Sequence, residues 1–280
     1  VTFNCGPAPT TITVTTQIIQ ASQVVTIDGG GLITLSGQGT LQHFLVLNDG
    51  TLALANLTLT QGSFSGGGAI FVRPKGIARL YNVTVTAGEA DGGGNDGGAI
   101  INQGSLEVAY SQFEANHADD GGGAIYNDGG TAIIRGSEFS NNFAQRGGAL
   151  FNDGGAMTLD EVLLVDNAAA PVGPLAGGAI YAVAGVITAT NSTLTGNSAD
   201  TGGAIYAAGT GLVRLVNVTV YANRADTGGG LWNAGSMPGP NLITVNTIIA
   251  GSRNRANTAA VAECGGLPFP SAGHNLVGDN

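Results

Sequence analysis

The sequence predicts an all-β fold, a right-handed parallel β-helix of roughly ten rungs, each of about 25 residues. Three observations predict it. The string Gly-Gly-Ala-Ile/Leu recurs with its alanine at Ala69, Ala99, Ala124, Ala149, Ala179 and Ala204, and Gly230 fills the column in a degenerate copy. The spacings are 30, 25, 25, 30, 25 and 26 residues, the range of solenoid repeats. Between these strings, apolar runs of three to five residues alternate with period two, a strand signal, and are separated by Asn-Asp-Gly-Gly turn clusters. Finally, 48 of 280 residues are glycine. Glycine costs a helix about 1 kcal/mol per position relative to alanine, so a helical chain is excluded. The glycines follow no collagen period, and 43% hydrophobic residues is too many for disorder.

The elements follow in order. Residues 1–60 form a cap and divergent first rungs, with Val1 to Ile19 as the expected cap of the exposed end. Val24 to Gly31 and Phe44 to Gly50 each read as strand then turn. Residues 61–252 hold the repeats and 253–280 a C-terminal tail, all within one domain. In a typical unit, Gly123 to Asn127, Ala132 to Arg135 and Ser137 to Phe139 are strands, and Asp128-Gly129-Gly130 and Asn141-Asn142 are turns. The longer units insert residues at Glu89 to Asp96 and Ala169 to Leu175, which should project from one corner. The uncharged stretch from Asn167 to Ala199 contains Pro171, Pro174 and paired glycines, so it reads as rungs rather than a membrane span. Starting at Val1, the chain reads as a processed or trimmed product.

Alternation along each strand assigns its sides. Ile70, Ile100, Ile125, Leu150, Ile180, Ile205 and Leu231 should point inward as one aliphatic stack. Phe71, Ile101, Tyr126, Phe151, Tyr181, Tyr206 and Trp232 then form an outward ladder, giving a flat, neutral, apolar face. A second column holds Asn116, Asn142, Asn167, Asn197 and Asn223, a structural ladder of stacked amides. Asn102, Asn127, Asn152 and Asn233 form another.

The chemistry-bearing residues are sparse. Asp119 and Asp120, with Asp91 and Asp96 in the preceding insertion and His117 nearby, are the densest acidic patch. Aspartate in glycine-rich turns is ordinary. The functional readings are a Ca²⁺ site, which wants several oxygen ligands, or a carboxylate pair for glycan chemistry. No other cofactor is implied. His43, His117 and His274 lack metal-ligand spacing. The Asn-x-Ser/Thr triplets at Asn56, Asn82, Asn191 and Asn217 share one repeat column, which explains them without glycosylation. Thr13/Thr15, Thr58/Thr60, Thr84/Thr86 and Thr193/Thr195 resemble the flat faces of ice-binding solenoids, but Gln112/Glu114 and Val165 interrupt them. Cys5 and Cys264 lie at opposite ends of a rod, too far apart for a direct bond. They are buried thiols, bonds to cysteines outside this chain, or links between neighbouring molecules. With 9 basic against 19 acidic residues, a net charge of −10 argues against nucleic acid and anionic membranes.

Gly122-Gly123-Ala124-Ile125 with Phe113-Glu114-Ala115-Asn116, and Gly147 to Leu150 with Phe139 to Asn142, resemble the GGA[ILV]/FxxN repeats of chlamydial polymorphic outer-membrane proteins. Thr26 to Gly31 and Gly273 to Asp279 resemble the opening and closing of the wider set of bacterial secreted β-helix repeat proteins. The resemblance implies a chain that continues beyond these residues and an adhesive role. The leading expectation is a non-enzymatic extracellular or cell-surface rod, with no membrane-spanning segment. It would contact other copies of itself, end to end through open strand edges, or a surface glycan or protein. The alternative is a polysaccharide-binding or polysaccharide-degrading protein that stacks sugars on Phe71, Tyr126, Phe151, Tyr181, Tyr206 and Trp232.

Overall fold

The computed structural model describes all residues except 1–2, 4–5, 16–18, 65, 91–96, 170–175, 236–240 and 279–280. Every regular element among the described residues is a β-strand. The strands pair in parallel with the next unit along the chain, at separations near the repeat length, as a solenoid requires. On the first face, nine pairings link ten strands, from Ile19–Ala21 to Cys264–Gly266. That makes about nine turns of the coil. The second face includes Ser105–Ala109 and Thr131–Arg135, and the third includes Gln112–Glu114 and Glu138–Ser140. Strands such as Val24–Leu41 and Leu150–Asp160 run round the corners and merge the faces into one continuous sheet.

The corner between the second and third faces is a single left-handed residue. Asn56, Asn82, Asn191 and Asn217 occupy it with φ of 52°, 52°, 51° and 56°. Asparagine tolerates this conformation better than other residues with a Cβ. Each also bonds sideways: Asn82 Nδ2 donates to Asn56 Oδ1 at 2.9 Å and Asn217 Nδ2 to Asn191 Oδ1 at 3.2 Å. The Asn-x-Ser/Thr column is therefore a corner device.

The core is the stack expected from alternation. Ile70, Ile100, Ile125, Leu150, Ile180, Ile205 and Leu231 are fully buried. The third face contributes Phe113 and Phe139, buried and stacked with ring centroids 4.8 Å apart. Each such aliphatic or aromatic side chain contributes about 1.5–3 kcal/mol on burial. The main amide ladder runs beside them. Asn142 Nδ2 donates to Phe113 O at 2.8 Å and to Asn167 Oδ1 at 3.0 Å, and Asn167 Nδ2 repeats the pattern to Phe139 O and Asn197 Oδ1. Asn102, Asn127 and Asn152 form the second ladder through bonds of 2.7 Å.

Three departures from the sequence reading stand out. Thr10–Thr13, within the expected cap, is the first strand of the third face, paired with residues 33–36. This register puts Thr11 and Thr13 in the outward threonine positions, where the sequence suggested Thr13 and Thr15. Four successive units also hold a short fourth strand: Glu89–Ala90, His117–Ala118, Phe143–Ala144 and Ala168–Ala169 form a narrow sheet of their own. Its inward alanines, Ala90, Ala118 and Ala144, are buried as a satellite cluster. The signal was present as alanine two residues after each ladder asparagine, at Ala118, Ala144, Ala169, Ala199 and Ala225. The insertions at 91–96 and 170–175 lie outside the described residues.

Candidate functional site

The outward ladder of the first face forms in register as expected. Tyr126, Phe151, Tyr181 and Tyr206 stack with successive centroids 4.9, 5.0 and 5.1 Å apart. The face is less exposed than expected, and arginines lie against it. Phe151 is 3% exposed and Ile101 8%, and Phe71, Tyr126, Tyr181, Tyr206 and Trp232 are half-buried. The Gly-Gly turn folds back over the strand and covers the rings. A Cβ on Gly121 would lie 2.6 Å from the Phe151 ring, and one on Gly228 2.8 Å from Trp232. Guanidinium groups complete the cover: Arg146 lies over Phe151 at 5.2 Å and Tyr181 at 5.8 Å, and Arg73 over Phe71 at 4.5 Å. The Tyr126 hydroxyl donates to Asp153 Oδ2 at 3.1 Å. Burial, then the neighbouring Tyr181, pushes the Tyr206 phenol up. The ladder is a partly covered seam in which the central rings stack on one another.

Of the acidic patch, Asp120 is paired with the Arg146 guanidinium. Asp119 is half-buried in the adjoining turn, and His117 Nδ1 lies 3.9 Å from Glu89 Oε1. Asp91 and Asp96 lie outside the described residues. Among the described residues no group of three His, Cys, Asp or Glu side chains is placed to hold a metal ion.

Cys264 pairs in register with Leu231 and takes the place of the next aliphatic residue in the inner stack. It is a free thiol, and burial, with Glu263 beside it, pushes it up to about 12. A thiol held up in this way forms little thiolate, the species that attacks disulfides. Cys5 lies outside the described residues.

His43 sits where later rungs carry the small Ala69 and Ala99. It is 1% exposed, and its Nε2–H donates to Leu35 O at 3.0 Å. Nδ1 has no hydrogen-bond partner among the described residues and faces Gly62. Burial holds its pKa down to about 4, against an ordinary 6.5. A depressed folded-state value means that the neutral ring's contribution is present above 6.5 and lost as pH falls towards 4. The cost approaches about 3 kcal/mol, at 1.36 kcal/mol per unit. Denaturant unfolding at pH 7 and pH 4 should show this loss, and His43→Leu should reduce it. An equal loss in the variant would assign the acid sensitivity elsewhere.

The second face carries a groove that the sequence reading missed. It has a volume of about 310 Å³, and its lining includes Ala53, Ala55, Arg79, Tyr81, Glu107, Ala109 and Arg135. Arg79 Nε donates to Glu107 Oε2 at 3.1 Å across it. Tyr81, 55% exposed, lines it, and its ring meets that of Tyr110, 61% exposed, edge to face at 5.6 Å. The only signal for it lay in which outward residues are long or short on neighbouring rungs.

Comparison with known families agrees with the coil: the model of a right handed beta helix region matches residues 42–225. The chain belongs to the right-handed β-helix family. No curated protein and no solved structure gave a match. The family sets the hand of the coil, and with it the sense in which the β-helix presents its faces. No helix among the described residues of this β-helix is long and apolar enough to cross a membrane.

Proposed function

We propose that this β-helix is a non-enzymatic extracellular or cell-surface rod that makes adhesive or structural contacts, with other copies of itself or with a surface glycan or protein. The observation that supports it is the continuity of its ladders. Aliphatic side chains, amides and outer rings each stack from rung to rung through the middle of the coil. Such nearest-neighbour stacking makes a stiff rod that presents fixed faces. Carboxylates beside the aromatic seam are engaged structurally, Asp120 by Arg146 and Asp153 by Tyr126.

Electron microscopy of the native material, with and without reductant, tests the assembly part of the reading. Filaments or lattices are expected; discrete short rods at high concentration would overturn self-assembly and leave surface binding. Incubation with a polysaccharide panel, followed by reducing-end and unsaturated-product assays, tests the rest. Release of products would replace this reading with a polysaccharide-degrading one.

A further inference from the structure

We propose that the N-terminal part of the third face binds the surface of ice crystals. Such binding is separate from the rod's adhesive contacts. The observation that carries it is a register. Thr11 pairs with Thr34, Thr34 with Thr58 and Thr58 with Thr84. Two residues further along each strand, Thr13 pairs with Ser36, Ser36 with Thr60 and Thr60 with Thr86. Between the columns Ile12 packs on the core, and Leu35, Leu59 and Val85 are buried in it. Both columns therefore point outward on four consecutive rungs, with no shift of register between them on any rung. The array ends where Gln112 and Glu114, then Glu138 and Ser140, continue the columns.

Three features select the ligand. First, the array is a lattice. Neighbouring strands lie about 4.8 Å apart and alternate residues along a strand about 6.7 Å, each within about a tenth of an oxygen repeat in hexagonal ice. Threonine's branched Cβ restricts χ1, so its hydroxyl and methyl keep fixed places on that lattice. Beside the array Asn82 Nδ2 donates to Asn56 Oδ1 at 2.9 Å, and Asn56 Nδ2 to Asp28 Oδ1 at 3.1 Å. Side-chain ladders of this kind hold successive strands in step and a sheet flat. Second, none of the seven threonine hydroxyls has a hydrogen-bond partner in the protein among the described residues, so each is left to bond water. Ser36 is the exception, buried with its hydroxyl donating to Gln61 Oε1 at 3.0 Å. Third, the eight positions carry no charge and no ring. A face of hydroxyls and methyls alone gives a protein or a nucleic acid no anchor. It does fit water already held at the same spacing. Fixing one free water costs up to about 2 kcal/mol of entropy, and in a crystal that ordering is already done.

The test grows ice slowly from a dilute solution of the whole chain and measures the share of protein taken into the solid. A protein of similar size with no affinity for ice serves as reference. The chain should be enriched in the ice by about tenfold or more over that reference, a decade in affinity. Crystals grown in its presence should be faceted rather than rounded. Thr58→Lys and Thr84→Lys should each lower the uptake about tenfold, because a long charged side chain within the array holds the crystal off. Thr193→Lys is the control. Thr193 continues the same column beyond Leu163, outside the array, and should keep full uptake when replaced. All three positions are half-buried, so melting temperatures of the variants separate a folding defect from a binding one. Exclusion of the unsubstituted chain from ice, full uptake of both array variants, or an equal loss in Thr193→Lys would each overturn the proposal. The first of these outcomes needs no variant to fold.

Discussion

Replacing Asn167 with alanine should destabilise the chain by about 4 kcal/mol and divide its unfolding into two steps. Asn167 sits mid-coil and is 0% exposed. Its Oδ1 accepts from the Asn142 backbone N–H at 3.0 Å and from Asn142 Nδ2 at 3.0 Å. Its Nδ2 donates to Phe139 O at 2.9 Å and Asn197 Oδ1 at 3.0 Å. Alanine leaves a buried N–H and a buried carbonyl without partners, at about 1–3 kcal/mol each, and breaks the ladder between rungs. A solenoid is held by nearest-neighbour terms, so weakening one central interface uncouples the two sides. Denaturant unfolding followed by hydrogen exchange should show the rungs on either side protecting independently. A single transition displaced by under 1 kcal/mol would mean that water replaces the amide.

Replacing Gly148 with alanine should cost more than about 4 kcal/mol, enough to prevent accumulation of folded protein. Its Cβ would lie 2.5 Å from the Ala168 carbonyl oxygen, and closer still to that of Gly178. Both obstacles are backbone on the neighbouring rung, held by Ala149 N–H to Ala179 O at 3.0 Å and by the pairing of Phe143–Ala144 with Ala168–Ala169. Relief requires the rungs to separate, which breaks their hydrogen bonds. Gly129→Ala is the control. That glycine has φ of +72°, with nothing within 4 Å of an added Cβ, so its cost is the left-handed conformation alone, about 1–2 kcal/mol. Comparable soluble yields and melting temperatures for the two variants would refute the steric account.

Much of this was legible beforehand because the repeat and the period of two reinforce each other. Ile125 and Asn127 share a side of their strand by alternation, and the repeat carries that assignment to every Ile/Leu and Asn in the column. Stacked amides had one sensible place, so Asn116 to Asn223 read correctly as a ladder. Other features do not follow from the pattern of a unit. Phe151 is covered because the turn at Gly121, thirty residues earlier in the chain, folds back over it. The strand Phe143–Ala144 spans two residues, too short for alternation to register. The groove depends on Ala53, Arg79, Glu107 and Arg135 being unequal in length, and inequality across rungs leaves no period.

The sequence by itself determined the coil, its repeat length and the inward direction of its aliphatic and amide columns, because each is a local preference repeated until neighbouring copies must stack. Only the tertiary structure decided which outer surface is open. It partly covers the aromatic ladder with glycine turns and arginines, and leaves Tyr81, Tyr110 and Arg135 exposed on another face. The physical reason is that exposure depends on what the next rung and the next corner place over a residue. Those neighbours are a full turn away in the chain, and no alternation within the unit specifies them.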